Sequence, residues 1–260
     1  MRKIFLALEI LYLLSFQNIN AQDIYDVNPF PLNFYTEKYQ RNVVLTALGT
    51  APKWNLELFK NNTLVLQLPN SIKVQAEIYA FQIDSLDQST SYFGMVKNGY
   101  VQFSAYKMNV EDPLTGIKYE YRTELHYHDT ATSHYEYLQG FALRIPNIKL
   151  ESAWLLTNIN EEDYLNKYQY QLFQRLKFNL ETNTISGFAG CNQLEGKFIA
   201  EDQIIKIENI DLINKEKCQF SDYENNFLNI LRNKTFQYSI ENGVLILNDS
   251  QNKLVFKSSN

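Results

Sequence analysis

The chain is 260 residues long, with 45% hydrophobic and 20% charged residues, a formal net charge of -5 and 2 cysteines. That apolar fraction suffices for a buried core, which excludes a disordered chain and a cysteine-stapled miniprotein, and the length suits one large or two modest domains. A sequence pI near 5.3, with the charge spread over both halves, excludes binding through nucleic-acid phosphates, which needs gathered Lys and Arg.

The first segment reads as a targeting signal. Arg2 and Lys3 precede an apolar stretch from Ile4 to Phe16, and polar Gln17 to Asn20 lead to Ala21. This order predicts a secretory signal peptide over residues 1–21, cleaved before Gln22. At ~1.5 Å per residue the apolar stretch covers roughly 20 Å, short of the ~30 Å that a membrane-spanning helix must cross. No cysteine stands near the cleavage point to carry a lipid. The expectation is a secreted or periplasmic protein, not a lipoprotein, with no membrane span.

Residues 22–148 read as a strand-rich N-terminal domain. Apolar residues recur with period two, as in Trp54, Leu56, Leu58; Leu64, Leu66, Leu68; Val74, Ala76, Ile78; and Val101, Phe103, Ala105. That period puts alternate side chains on one face of a half-buried sheet. Asn61-Asn62 predicts a hairpin joining the run at Trp54 to the run ending at Leu68, and Asn98-Gly99 a turn before Tyr100. Pro146-Asn147 marks a switch, and the boundary is placed between residues 148 and 149.

The second half, 149–260, reads as strands, one helix over 221–233 and a closing meander. Ser221 with Glu224 matches a capping box, followed by an apolar stripe of Phe227, Leu228 and Leu231. Asn242-Gly243, between two alternating runs, is a strong hairpin signal because both central residues of that turn need positive φ. The fold class expected is mainly β or α+β: a strand-rich domain followed by antiparallel strands with one α-helix.

Residues 185–196, I-S-G-F-A-G-C-N-Q-L-E-G, resemble the signature of the META domain, the heat-shock HslJ-like domain of bacterial envelope proteins. Trp154-Leu155-Leu156 resembles that family's opening strand, and Leu176-Lys177-Phe178 the strand feeding the signature. Cys218 stands where the family often has a second cysteine, ahead of a helix with Glu224, Phe227, Leu228 and Leu231. The chain departs from the family before Cys218, where Asn214-Lys215-Glu216-Lys217 replaces the usual Thr and Met. The family motif residues here are Gly187, Gly190, Cys191 and Asn192. In the first half, G-T-A-P-K-W-N-L-E-L at 49–58 and D-P-L-T-G-I-K-Y at 112–119 resemble a small β-rich envelope domain of the G-x-x-P-x-W type. The resemblance implies fold and envelope location, and no agreed chemistry.

Several residues are candidates for a site. Gly187 and Gly190 bracket a reversal, with Asn192 able to hold it through its side chain; a plain hairpin corner and a ligand-cradling loop are both open. Cys191 and Cys218, in an exported chain, favour a disulfide that closes a loop of about 27 residues and adds roughly 3–4 kcal/mol, with two packed thiols as the alternative. His126, His128 and His134 fall within nine residues, and a turn at 129–132 would set His134 opposite the other two, a candidate zinc or copper site. Tyr119, Tyr121, Tyr127, Tyr135 and Tyr137 form either a stacking platform or a packed sheet face.

No catalytic residue is assigned, since the chain has no nucleophile elbow, H-E-x-x-H, Walker loop or dinucleotide fingerprint. The expected function is a non-enzymatic, envelope- or stress-associated protein acting by binding, with no cofactor and with an unknown protein or small ligand as partner. The alternatives are a glycan- or apolar-ligand-binding module, and a metal-dependent hydrolase using the histidines.

Overall fold

The structure, a computed structural model, describes residues 29–86, 88–164, 173–217 and 219–259. The expected signal peptide and Cys218 lie outside the described residues.

A helix, α1 (Leu32–Gln40), leads into eight strands: β1 (Val43–Thr50), β2 (Lys53–Phe59), β3 (Thr63–Gln67), β4 (Lys73–Asp84), β5 (Ser89–Val96), β6 (Gly99–Glu111), β7 (Lys118–Asp129) and β8 (His134–Arg144). Each pairs antiparallel with the next, and β8 returns to β1 from Leu45↔Arg144 to Leu48↔Phe141, closing a barrel. The period-two pattern is the reason. Trp54, Leu56, Leu58, Leu64 and Leu66 point inward and are buried, while Asn55, Glu57, Val65 and Gln67 between them lie outward. At eight strands the lumen is just wide enough to be filled by side chains, and Phe103, Leu125, Tyr127, Leu138 and Ala142 complete the filling.

Trp54 explains two glycines. Its indole Nε1 donates to the Gln139 carbonyl at 3.0 Å, and a Cβ on Gly49 or on Gly140 would run into the indole ring. The same region joins the two resembling stretches of the first half. A register shift between Lys107 and Val110 interrupts the β6–β7 ladder near its tip. Asp112 then accepts from Thr50 Oγ1 at 3.3 Å, and Tyr119 stacks on Phe141 with centroids 5.2 Å apart. Tyr119, Leu143 and Tyr35 of α1 form a small apolar cluster with Phe34, Leu48 and Phe141.

After a short 3-10 turn at Ile148–Leu150 comes a second antiparallel sheet. Its strands are β9 (Ala153–Ile159), β10 (Glu162–Asp163), β11 (Arg175–Asn179), β12 (Thr184–Phe188), β13 (Gln193–Glu201), β14 (Ile204–Leu212), β15 (Thr235–Glu241), β16 (Val244–Asn248) and β17 (Lys253–Ser258), with helix α2 (Ser221–Leu231) after β14. The order is β10-β9-β11-β12-β13-β14-β15-β16-β17, and β9 also pairs with β17, so the sheet returns on itself. Helix α2 lays Phe227, Leu228, Ile230 and Leu231 into a core with Trp154, Phe178, Phe198, Phe236 and Phe256. Asn242 and Gly243 both take positive φ between Glu241 and Val244, the turn their pairing signals. The architecture is mainly β, as the patterning indicates.

Three local expectations need correction. Helix α1 adds to the one helix expected; Tyr35 is its only buried residue, so no apolar stripe in the sequence announces it. The capping box is not formed: Ser221 is already helical, Phe220 is the N-cap without a side-chain cap bond, and Glu224 is turned elsewhere. Gly187 lies in β12 opposite Leu176 and Leu194, not at the reversal, and a Cβ there would strike the Arg175 carbonyl of the neighbouring strand.

The two sheets meet through polar contacts at the barrel rim where β6 and β8 end and β7 begins. Lys107 Nζ reaches Glu201 at 2.5 and 2.8 Å, and Arg144 Nη1 reaches Asp202 at 2.9 and 3.2 Å. Arg144 Nε donates to Tyr121 Oη at 2.9 Å, and the Leu32 amide donates to Glu181 at 2.8 Å.

Candidate functional site

In the barrel wall, register decides which side chains share a face. Strand β7 aligns His128 with Tyr100 and Tyr135, and His126 with Gln102 and Tyr137. The alternate positions Val101, Tyr127, Phe103, Leu125 and Leu138 are buried in the lumen, so these two rows face outward. A third row sets Glu124 between Ser104 and Gln139.

Tyr100, Tyr135 and Tyr137 are 40%, 53% and 46% exposed. Their rings are held by neighbours. His126 Nδ1 and the Tyr135 hydroxyl stand 2.5 Å apart, and Gln139 Nε2 donates to the Tyr137 hydroxyl at 2.9 Å. Tyr100 meets the His128 ring edge-on at 5.5 Å, and His126 lies 4.8 Å from the Tyr137 ring. Below them Glu124 accepts from Arg122 at 3.0 Å and from the Tyr106 hydroxyl at 3.2 Å. The face thus combines flat apolar rings with hydroxyl, imidazole and amide groups fixed on strands, a combination suited to ligands having both C–H faces and hydroxyls.

The five tyrosines of the sequence reading divide. Tyr119, Tyr121 and Tyr127 are buried and serve packing, whereas Tyr135 and Tyr137 are exposed. The histidines divide too. His134 pairs with Asp129, one position out of phase with the 128–135 row, and so lies on the lumen side with Tyr127 and Glu136. The four-residue connection fixes this parity, so the turn does not set His134 beside His126 and His128. Among the described residues no group of three or more His, Cys, Asp and Glu side chains converges as a metal cage. Tyr100, Gln102 and Gln139 join the face although no sequence motif singles them out as site residues. The Asn98-Gly99 turn was the available signal for Tyr100, because a hairpin there sends it across the sheet toward His128.

The signature stretch builds a second polar site of another kind. Gly190 has φ 140, and the Ala189 amide donates to the Asn192 carbonyl at 2.9 Å, closing the reversal. Buried Glu224 of α2 accepts from the Cys191 amide at 3.0 Å, from the Asn192 amide at 2.7 Å and from Asn192 Nδ2 at 2.7 Å. Asn192 Nδ2 also donates to the Glu216 carbonyl at 3.0 Å, while its Oδ1 accepts from the Glu216 amide at 2.9 Å. Both polar atoms of the Asn192 side chain are used, so the stretch ties reversal, loop and helix together.

A META domain is found at residues 147–260. The META domain therefore covers the second sheet and α2, with Gly187, Gly190, Cys191 and Asn192 at its centre. Two proteins solved by NMR are similar to part of the chain. One, from Burkholderia xenovorans, is 19% identical over 42% of this chain and 83% of its own, with a TM-score of 0.36. The other is 16% identical over 42% of this chain and 90% of its own, with a TM-score of 0.34. No curated protein matches. No helix among the described residues is long and apolar enough to cross a membrane.

Proposed function

We propose that this protein is exported and works outside the cytoplasm as a non-enzymatic binding protein of the envelope or stress type, with the outer face of β6, β7 and β8 as its contact surface. The observation that carries the reading is the pair of outward rows, Tyr100-His128-Tyr135 and Gln102-His126-Tyr137, supported from below by a filled barrel. Rings fixed on strands bind with little loss of conformational freedom. Neutral oligosaccharide suits them: C–H faces stack on tyrosine while hydroxyls meet imidazole and amide groups.

Export is supported by the Arg2-to-Ala21 pattern. It is also the condition under which Cys191 and Cys218 pair, the disulfide we propose as the tie between the signature reversal and the approach to α2.

Titration calorimetry with six-unit cello- and chito-oligosaccharides tests the surface. Dissociation constants of about 0.1–1 mM are expected for one of them, equivalent to roughly 4–5.5 kcal/mol of binding. Replacing Tyr100, Tyr135 and Tyr137 together by Ala should abolish the signal, since their exposed rings are not needed for the barrel. Failure of both sugars to bind the wild-type protein at several times that concentration would sink the assignment.

A further inference from the structure

On a different part of the barrel, β4 outruns its neighbour. The β3 pairing ends at Thr63↔Glu77, while the β5 pairing continues regularly from Ala80↔Phe93 to Asp84↔Ser89. Among the described residues no strand pairs with β4 beyond Glu77 on the β3 side. The closed barrel therefore leaves an open edge in the projecting half of the β4–β5 hairpin. In an antiparallel pair, alternate N–H and C=O groups point away from the partner strand, and along residues 80–84 these face solvent.

The side chains there are not those of a protected edge. Phe81 and Ile83 are 67% and 69% exposed, and Tyr79, at the register shift, is 67% exposed. Phe81 and Ile83 share one face, opposite Tyr92 and Thr90 of β5. Between Lys73 and Lys97 the sequence has Glu77, Asp84 and Asp87 and no Lys or Arg. Edges that must stay unpaired ordinarily have lysine or proline, and this one has neither.

We propose that residues 80–84 of β4 are a strand-addition site for an extended segment of a partner polypeptide, apolar at alternate positions and flanked by Lys or Arg. Backbone hydrogen bonds along β4 supply the pairing, Phe81 and Ile83 cover alternate side chains of the incoming strand, and the acidic flanks select basic ends. The charge also decides against a second copy of the same edge. Two β4 edges brought together would gather the acids of both hairpins with no cation between them, a repulsive arrangement. The site is separate from the outward tyrosine rows, so it stands or falls independently of the glycan reading.

The probe is a nonapeptide of alternating threonine and valine with two lysines at each end, titrated into the full chain and followed by amide hydrogen exchange. Saturable binding is expected, with protection of the amides of residues 80–84. The same peptide with glutamates for lysines should bind at least tenfold more weakly. The full-chain double variant F81T/I83T, which alters only exposed side chains and keeps strand-forming residues, should bind the lysine peptide at least fivefold more weakly with an unchanged unfolding temperature. Absence of saturable binding at millimolar peptide, or protection confined to other residues, overturns the proposal. So does protection of residues 80–84 that grows with protein concentration without peptide, because that result assigns the edge to a second copy.

Discussion

Glu224 shows how much one buried carboxylate holds in place. It receives three hydrogen bonds from Cys191 and Asn192, two of them from backbone amides that lose this acceptor if it is removed. In E224Q one of the two oxygens becomes an NH2 group that must face a donor, Asn192 Nδ2 or the two backbone amides, so the variant should lose about 2–3 kcal/mol of stability. Urea unfolding of the full chain checks this against E241Q, an exposed control; equal midpoints would contradict the lock. N192A should lose a similar amount, because the Glu216 amide and carbonyl lose their partner together. The disulfide belongs to this scale too. Unreduced, unfolded protein should show no reactive thiol and reduced protein two; reactive thiols before reduction would remove the tie. That Asn192 would hold a turn was legible from its chemistry. That its partners stand 24 residues and 32 residues away was not, because side-chain chemistry names the kind of partner and folding supplies the particular one.

Among the elements, β1, β2 and β8 depend on the space that Gly49 and Gly140 leave for Trp54. A methyl group on Gly140 meets the Leu48 carbonyl as well as the indole, while the three atoms nearest to one on Gly49 all belong to the indole. Both G49A and G140A should destabilise the barrel by about 1–3 kcal/mol, as overpacked cores do. The two should differ in repair: trimming Trp54 relieves G49A but leaves the backbone clash of G140A. Thermal unfolding of the single and double variants measures the difference, and equal rescue would refute the packing account. Period-two patterning identifies β2, β3, β4 and β6 because each buries one face. It could not locate α1, whose burial is confined to Tyr35. The Ser221-to-Glu224 spacing misled for an identifiable reason: the glutamate had a better use in three donors from another loop than in its own helix start.

At the scale of the molecule, Glu120 reports on the contact between the barrel and the META domain. Burial, with the Glu201 charge adding to it, pushes its carboxyl up to about 7, against the pull of Lys107 and Arg144. A carboxyl whose folded value is raised holds its proton more tightly in the folded state. Its contribution is complete below about pH 4.5, the unfolded value, and is lost as pH rises through 7. Relative to E120Q, the wild-type protein should therefore become progressively less stable between about pH 4.5 and 7. Urea midpoints of the two proteins across that window test the sign; parallel curves would show that Glu120 is ionised in both states. Acids with lowered values, such as Glu57, where burial is outweighed by hydrogen bonds from Lys38 and Arg41, act oppositely at lower pH and cancel in the comparison.

The sequence by itself determined the strand-rich character, the helix at Phe227 to Leu231, the Asn242-Gly243 hairpin and the META domain. The first three follow from periodicity and turn chemistry acting over a few residues, and the META domain from the resemblance of residues 185–196 to that family's signature. Only the tertiary structure decided that eight strands close on themselves, that His134 falls on the opposite face from His126 and His128, and that Tyr100 joins them. Each of those depends on register, and a shift of one residue exchanges the two faces of a strand while leaving its local pattern unchanged.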